Sequence, residues 1–131
     1  MANEITFSSR VAWSRGGEAV ALTAGDTYSQ TGNSAYGAIQ LIGITSVSIY
    51  IAPAVTDPCF IGFRNEAPKV NAALGIPLVT VYLGVVTPMT NLVASIALDG
   101  GQGIVVPNGG IVWYAIATAA LTPLAVVAID R

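Results

Sequence analysis

The sequence contains no histidine and a single cysteine, Cys59, in 131 residues. A Ser-His-Asp or Cys-His catalytic arrangement and a histidine-ligated metal site all require histidine, so this sequence cannot form them. One cysteine forms no intrachain disulfide and gives no zinc-ligand spacing. No basic residue lies near Cys59 before Arg64, so nothing nearby would lower the pKa of its thiol, and we expect the thiol to be buried and unreactive. Since the usual ligand residues are missing, we also expect no metal or cofactor.

Charge is also scarce. Charged residues make up 9% of the sequence, with five bases, seven acids and a net charge of −2, whereas soluble domains usually contain about 25%. The bases are scattered and form no patch that could neutralise phosphates, so we expect no nucleic-acid partner. The acids do not cluster in the sequence either, which gives no support to paired-carboxylate catalysis.

The glycine-rich run DGGQG at residues 99–103 resembles a phosphate-binding loop only in composition. It lacks the Lys-Ser/Thr ending of a P-loop, and no helical pattern follows it. We interpret it as a hairpin loop. Since no other catalytic constellation is present, the sequence predicts that the protein is not an enzyme.

Apolar residues dominate what is present. They make up 53% of the chain, and the mean hydropathy is +0.68. A small monomer needs polar groups to cover its surface, and large exposed apolar patches usually mark interfaces. We therefore predict a homo-oligomer, trimer or dimer, or a component of a larger assembly. The alternative is a monomer covered by Ser, Thr, Asn and Gln side chains.

The last quarter of the chain, residues 104–129, contains no charged residue. Residues 111–129 reach the length of a membrane span, roughly 18 apolar residues. The other interpretation is two buried strands, residues 111–118 and 124–129, joined by a turn at 119–123. β-branched and aromatic residues favour strands, and Pro123 would break a helix. We predict the strands and no membrane partner, with a membrane protein as the lesser alternative.

The rest of the chain also reads as short strands. Residues 44–51 alternate between apolar and polar side chains, which is typical of a half-buried strand. Residues 91–98 alternate as well, although a helix there stays possible, and residues 65–75 form a polar connection with room for one helical turn. Further strands are expected at residues 5–13, 19–23, 39–42, 59–64 and 78–86. Turn signals separate these segments, so we predict an all-β fold, a β-sandwich or jelly roll of eight or nine short strands.

The chain length fits one domain. Residues 1–17 are of mixed polarity and end in a turn at 15–18, so we predict an N-terminal arm or edge strand there and a β-sandwich over residues 18–131. The first residues have neither the basic nor the apolar region of a secretory signal, which predicts synthesis in the cytoplasm.

Aromatic side chains are the candidate contact residues. Tryptophan and tyrosine are frequent anchors of interfaces and of cores, and they also stack on sugars. If residues 111–118 form a strand, Trp113 and Tyr114 project to opposite faces, so at most one of them lies in the core of a single sheet face. The predicted interface residues are Phe7, Trp13, Tyr28, Tyr36, Trp113 and Tyr114.

Several short motifs resemble those of small structural proteins of tailed-phage virions. The run YSQTGN at residues 28–33, the segment IQLIG at 39–43 and the alternating strand to residue 51 resemble that pattern. A motif of the form (F/I)I(K/R)N follows in the family, and Phe63-Arg64-Asn65 stands in its place here. Residues 114–120, YAIATAA, resemble a strand near the end of the family's pattern, and residues 124–129 match the last apolar strand that follows it. The chain departs from the family at residues 66–77, where EAPKVNAALGIP replaces an Asn- and Asp-rich turn.

The resemblance implies a capsid decoration or cement protein. Such a protein would be made in the host cytoplasm and located in the virion, where its partners would be the major capsid protein or other virion subunits. It would stabilise the phage head by binding between major capsid subunits. The alternative is a carbohydrate- or receptor-binding β-sandwich module of a phage tail or head fibre. The resemblance supplies no catalytic residue.

Overall fold

The structure, a computed structural model, describes residues 3–30, 35–56, 58–107 and 112–130, which fall into two compact units, 3–30 and 35–130. These residues form ten strands and a single-turn 3-10 helix at Ala72–Leu74. The strands are β1 Asn3–Arg15, β2 Glu18–Gln30, β3 Ala35–Ile42, β4 Val47–Ser48, β5 Pro58–Asn65, β6 Thr80–Gly84, β7 Ile96–Asp99, β8 Gly103–Pro107, β9 Tyr114–Ala117 and β10 Thr122–Asp130.

The first unit is a long antiparallel hairpin. β1 pairs with β2 over 13 residues, from Arg15 opposite Glu18 to Asn3 opposite Gln30. Gly16 and Gly17 form the two-residue turn with φ of 59° and 86°, and a turn with two positive φ values matches the twist of the strands it joins. We predicted a boundary between residues 17 and 18. The structure places both sides of this position in the hairpin, within the unit 3–30.

The second unit is a β-sandwich of two four-stranded antiparallel sheets. One has the order β3-β10-β5-β8 and the other β4-β9-β6-β7. Buried side chains from both sheets meet in one core, with Ile61 and Val126 from the first sheet and Leu83 and Ala115 from the second. The predicted all-β, sandwich-like class is confirmed, with ten strands in the described ranges where we expected eight or nine.

The later part of the uncharged C-terminal stretch, residues 112–129, contains β9 and most of β10. Leu124, Val126 and Ala128 are fully buried at every second position of β10, which is the alternation of a strand with one face on a core. The interpretation of this stretch as two strands is therefore confirmed. The first strand is Tyr114–Ala117, shorter than the predicted 111–118, and the second begins at Thr122 instead of residue 124. Across the described ranges, no helix combines the length and the hydropathy that a bilayer crossing requires.

Three predicted segments differ from the structure. Residues 44–51 contribute only Val47–Ser48 to a sheet, and at Tyr50 both backbone groups bond to the Gln40 side chain instead of a strand. Residues 91–93 form a turn, and β7 begins at Ile96. Residues 99–103 are not a hairpin loop, since β7 and β8 belong to different sheets and the segment crosses between them.

Asn65 ties the two sheets together at that crossing. Its side chain is fully buried in β5, and its Nδ2 donates to the carbonyls of Val79 and Leu98 at 3.0 and 2.9 Å. Its Oδ1 accepts from the Ala67 N–H at 3.0 Å. The Asn65 backbone also accepts from the Gly101 N–H at 2.8 Å. One side chain thus satisfies three backbone groups that the core would otherwise leave unpaired.

Candidate assembly surface

The sheet β3-β10-β5-β8 has an exposed apolar side, which we call the outer face. Its exposed side chains are those of Ile39 (63% exposed), Leu41 (62%), Val127 (47%) and Val105 (41%). Val127 lies between the buried Val126 and Ala128 of β10, so it points away from the core. The strand register places Ile39, Leu41 and Val105 on the same side of the sheet as Val127. Exposed apolar residues grouped on one sheet face are typical of an interaction surface.

Charge is almost absent from this sheet. β3 and β8 contain no charged residue, and β5 and β10 contain one each, Arg64 and Asp130. Arg64 pairs with Glu66 across 3.5 Å, and such an exposed pair contributes only about 0–1 kcal/mol. A partner that binds the outer face would therefore make mainly apolar contacts with it.

Two glycines leave the centre of the outer face shallow. The register places Gly37, Val127, Gly62 and Val105 side by side across the four strands. A Cβ on Gly62 would lie 3.6 Å from Val105 Cγ2, whereas one on Gly37 would lie 3.9 Å from Val127 Cγ2. Val127 is thus flanked on both sides by positions without a side chain, which leaves it accessible to a protruding group of a partner.

The hairpin is a second candidate contact element. A two-stranded sheet is marginally stable in water unless it packs against something else, and Val20 and Leu22 are exposed on β2. Their Cα partners on β1 are Trp13 and Val11. Of the predicted interface residues, Phe7, Trp13 and Tyr28 lie on this hairpin, and their side chains are outside the part that the structure describes.

A polar and aromatic cluster lies beside β3. The rings of Tyr36 and Tyr50 meet edge to face with centroids 5.7 Å apart. Gln40 Nε2 donates to the Tyr36 hydroxyl at 3.2 Å and to the Tyr50 carbonyl at 2.6 Å, and its Oε1 accepts from the Tyr50 N–H at 3.0 Å. Gln40 thereby holds Tyr50 at the surface, where its ring is available for stacking.

The predicted pair Trp113 and Tyr114 divides between core and surface. Trp113 is 6% exposed and meets Phe63 edge to face with centroids 5.3 Å apart. Among the described residues its Nε1 has no hydrogen-bond partner. A side chain enclosed in this way is a core residue, so the prediction of Trp113 at an interface is corrected. Tyr114 is half-buried at the start of β9.

The described residues form no recognisable catalytic or metal-binding arrangement. Within them, no three His, Cys, Asp or Glu side chains lie together as a metal site would require. Thr80 Oγ1 donates to Asp99 Oδ1 at 2.7 Å, which pairs two neighbouring strands. The Cys59 side chain lies outside the described part, so its burial stays a prediction.

Two side chains with defined roles were missed from the sequence. Asn65 appeared only as the end of the Phe63-Arg64-Asn65 motif, and Gln40 only within a strand. Their roles depend on backbone groups 10 to 33 positions away, and no local pattern reports such contacts.

The search for relatives found no family model, curated protein or solved structure that matches this chain.

Proposed function

We propose that this protein is a structural virion component, a decoration or cement protein that binds between major capsid subunits and stabilises the phage head. The observation that carries the proposal is the exposed, mainly apolar outer face. The phage context comes from the resemblance of the motifs at residues 28–51, 63–65 and 114–120. A homo-oligomer and major capsid subunits are the partners in this proposal.

The mechanism is burial of apolar surface rather than charge pairing. Specific protein interfaces bury about 1,200–2,000 Å² in total, and each Å² of apolar area removed from water contributes about 25 cal/mol before the costs of association. Salt screens contacts between exposed charges but not apolar burial. Binding through the outer face should therefore change little between low and high ionic strength.

A lysine in the middle of the outer face tests this proposal. Val127→Lys places a charge between Gly37 and Gly62, so we expect occupancy on purified capsids to fall at least tenfold, as measured by co-sedimentation at low and high salt. The matched control is Thr90→Lys, which adds the same charge at an exposed position of the β6–β7 loop. Equal occupancy for both variants would contradict the role of the outer face.

The hairpin is the candidate arm in this proposal. Added strands bind through main-chain hydrogen bonds, and both strands of the hairpin are 13 residues long. Removal of residues 1–33 is expected to abolish capsid binding while the sandwich keeps its cooperative thermal transition, since Asn65 and the core lie within residues 35–130. Unchanged occupancy of the shortened protein would exclude the arm.

A carbohydrate- or receptor-binding role is the second candidate. It is favoured by the Tyr36–Tyr50 pair and by the exposed ring of Tyr50. Tyr50→Ala removes this ring but leaves the backbone bonds to Gln40, so a loss of glycan-array binding would assign the site. The control is Leu121→Ala, which removes another exposed apolar side chain. Absence of glycan binding by the unaltered protein would exclude this role.

A further inference from the structure

The four strands at the sheet edges of the sandwich differ in how well they are protected. Natural edge strands avoid unwanted pairing by being short or by carrying charge or proline. β4 has two residues, β7 has four and ends at Asp99, and β8 has five and ends at Pro107. β3 has eight residues, AYGAIQLI, with neither charge nor proline. In the described ranges its only ladder partner is β10, so β3 is the edge most open to another strand.

The hydrogen bonding of Pro123 in β10 determines which residues of β3 direct their N–H and C=O groups to the open edge. Its carbonyl accepts from the Glu66 N–H at 2.9 Å, which lies on the β5 side. Because backbone groups alternate sides along an antiparallel strand, the even-numbered residues of β10 face β3. They pair with the even-numbered residues of β3, as Leu124 does with Gln40. The N–H and C=O groups that point to the free edge are those of Ala35, Gly37, Ile39 and Leu41.

We propose that β3 pairs antiparallel with β3 of a second copy of this chain across a two-fold axis. In one register Gly37 of each copy lies opposite Ile39 of the other, and Ala35 lies opposite Leu41. All four open residues then form both of their hydrogen bonds, about eight in total. Each large side chain also faces a small one, which lets the strands approach without a clash.

A second copy of this chain fits the open edge of β3 better than an unrelated strand does. The contact is isologous, so one surface patch is complementary to itself, and β3 carries no charge that a partner would have to match. The pairing also joins the outer faces of two copies into one apolar surface across an eight-stranded sheet. The inference rests on the homo-oligomer of the proposed function and gives it a defined contact.

The mass of the intact protein in solution is the first test. Analytical ultracentrifugation should give twice 13.4 kDa for the unaltered protein and close to 13.4 kDa for Ile39→Lys, which sets two like charges near the two-fold axis. Val127→Lys is the control, because it adds a charge to the same face on an inner strand and should leave the dimer intact.

A cross-link supplies a second test that needs no disruptive charge. In the proposed register Ala38 lies opposite Ala38 of the other copy, in a pair without mutual hydrogen bonds, where Cα atoms are about 4.5 Å apart. That spacing suits a disulfide. Ala38→Cys combined with Cys59→Ser should oxidise to a covalent dimer, whereas Val127→Cys in the same background should not.

The outcomes separate this inference from the proposed function. A mass near 13.4 kDa for the unaltered protein, or a dimer that forms no cross-link at position 38, overturns the β3 pairing even if capsid binding is found. A cross-linked dimer that fails to bind capsids supports the pairing and counts against the virion role alone.

Discussion

Asn65→Asp is expected to lower the free energy of unfolding by at least about 3 kcal/mol, because the change replaces the donor of two buried hydrogen bonds with an acceptor. The carbonyls of Val79 and Leu98 would then face a carboxylate instead of an amide N–H. Only the bond from the Ala67 N–H would be kept. Domains of this kind are stable by about 5–15 kcal/mol, so the loss is a large part of the total.

The same variant should respond to pH in a defined direction. Burial without a cationic partner raises the pKa of the new carboxyl in the folded state above its unfolded value of about 3.9. The folded state then binds more protons than the unfolded state between the two pKa values, so stability falls as pH rises through that window. Urea denaturation at acidic and neutral pH measures the effect.

Asn71→Asp is the matched control for this prediction. Asn71 is exposed, and its side chain only accepts a hydrogen bond, from the Ala73 N–H at 3.1 Å. A carboxylate performs that function equally well at the start of a helical turn. The control should therefore stay within about 0.5 kcal/mol of the unaltered protein. Similar losses for both variants would show that Asn65 does not join the sheets as described.

Gly100→Ala is expected to be the next most damaging substitution, with a loss of about 3 kcal/mol from forced overpacking. A Cβ at this buried position would overlap the Pro68 carbonyl oxygen and lie 2.8 Å from the Ala67 carbonyl oxygen. Both obstacles are backbone atoms, which cannot rotate away. The crossing between the sheets would have to move, and with it the hydrogen bond from the Gly101 N–H to the Asn65 carbonyl.

Gly43→Ala is the control for this substitution. The nearest atom to a Cβ there is the Thr45 nitrogen at 4.0 Å, and the residue is not among those with positive φ. Alanine should be neutral or stabilise the protein by about 0.4–1 kcal/mol, because it restricts the unfolded chain. Thermal unfolding of the two variants compares them directly. A Gly100→Ala protein as stable as Gly43→Ala would contradict the close approach at Pro68.

The sequence predicted the elements whose signal is local. The apolar run ending at residue 129 became β10, since an apolar run that contains Val126, Val127 and Ile129 suits a strand covered on its inner side. The polar connection after Asn65 contains the expected helical turn at Ala72–Leu74. There Gly75, with φ 69°, ends the turn. These features depend on neighbours within a few positions, which the sequence displays directly.

The remaining features depend on distant partners. β2 extends to Gln30 through Gly25 and Asp26, residues that disfavour strands, because 13 consecutive pairs with β1 outweigh local preference. The segment at residues 44–51 alternates from Ser46 onward yet forms only a two-residue strand, and at Tyr50 the backbone pairs with the Gln40 side chain instead of a strand. No local pattern tells which strand ends at a sheet edge, so the open edge of β3 was visible only in the fold.

The central claim is that the charge-poor sheet β3-β10-β5-β8 is covered by protein, and residue-resolved hydrogen exchange along β3 tests it most directly. The amides of Ala38, Gln40 and Ile42 face β10 and should exchange slowly in any state of the folded protein. If a second copy covers the edge, the amides of Gly37, Ile39 and Leu41 will be protected as well in the concentrated, intact protein and will lose protection in Ile39→Lys. Fast exchange at those alternate positions in the unaltered protein at every concentration would contradict the account.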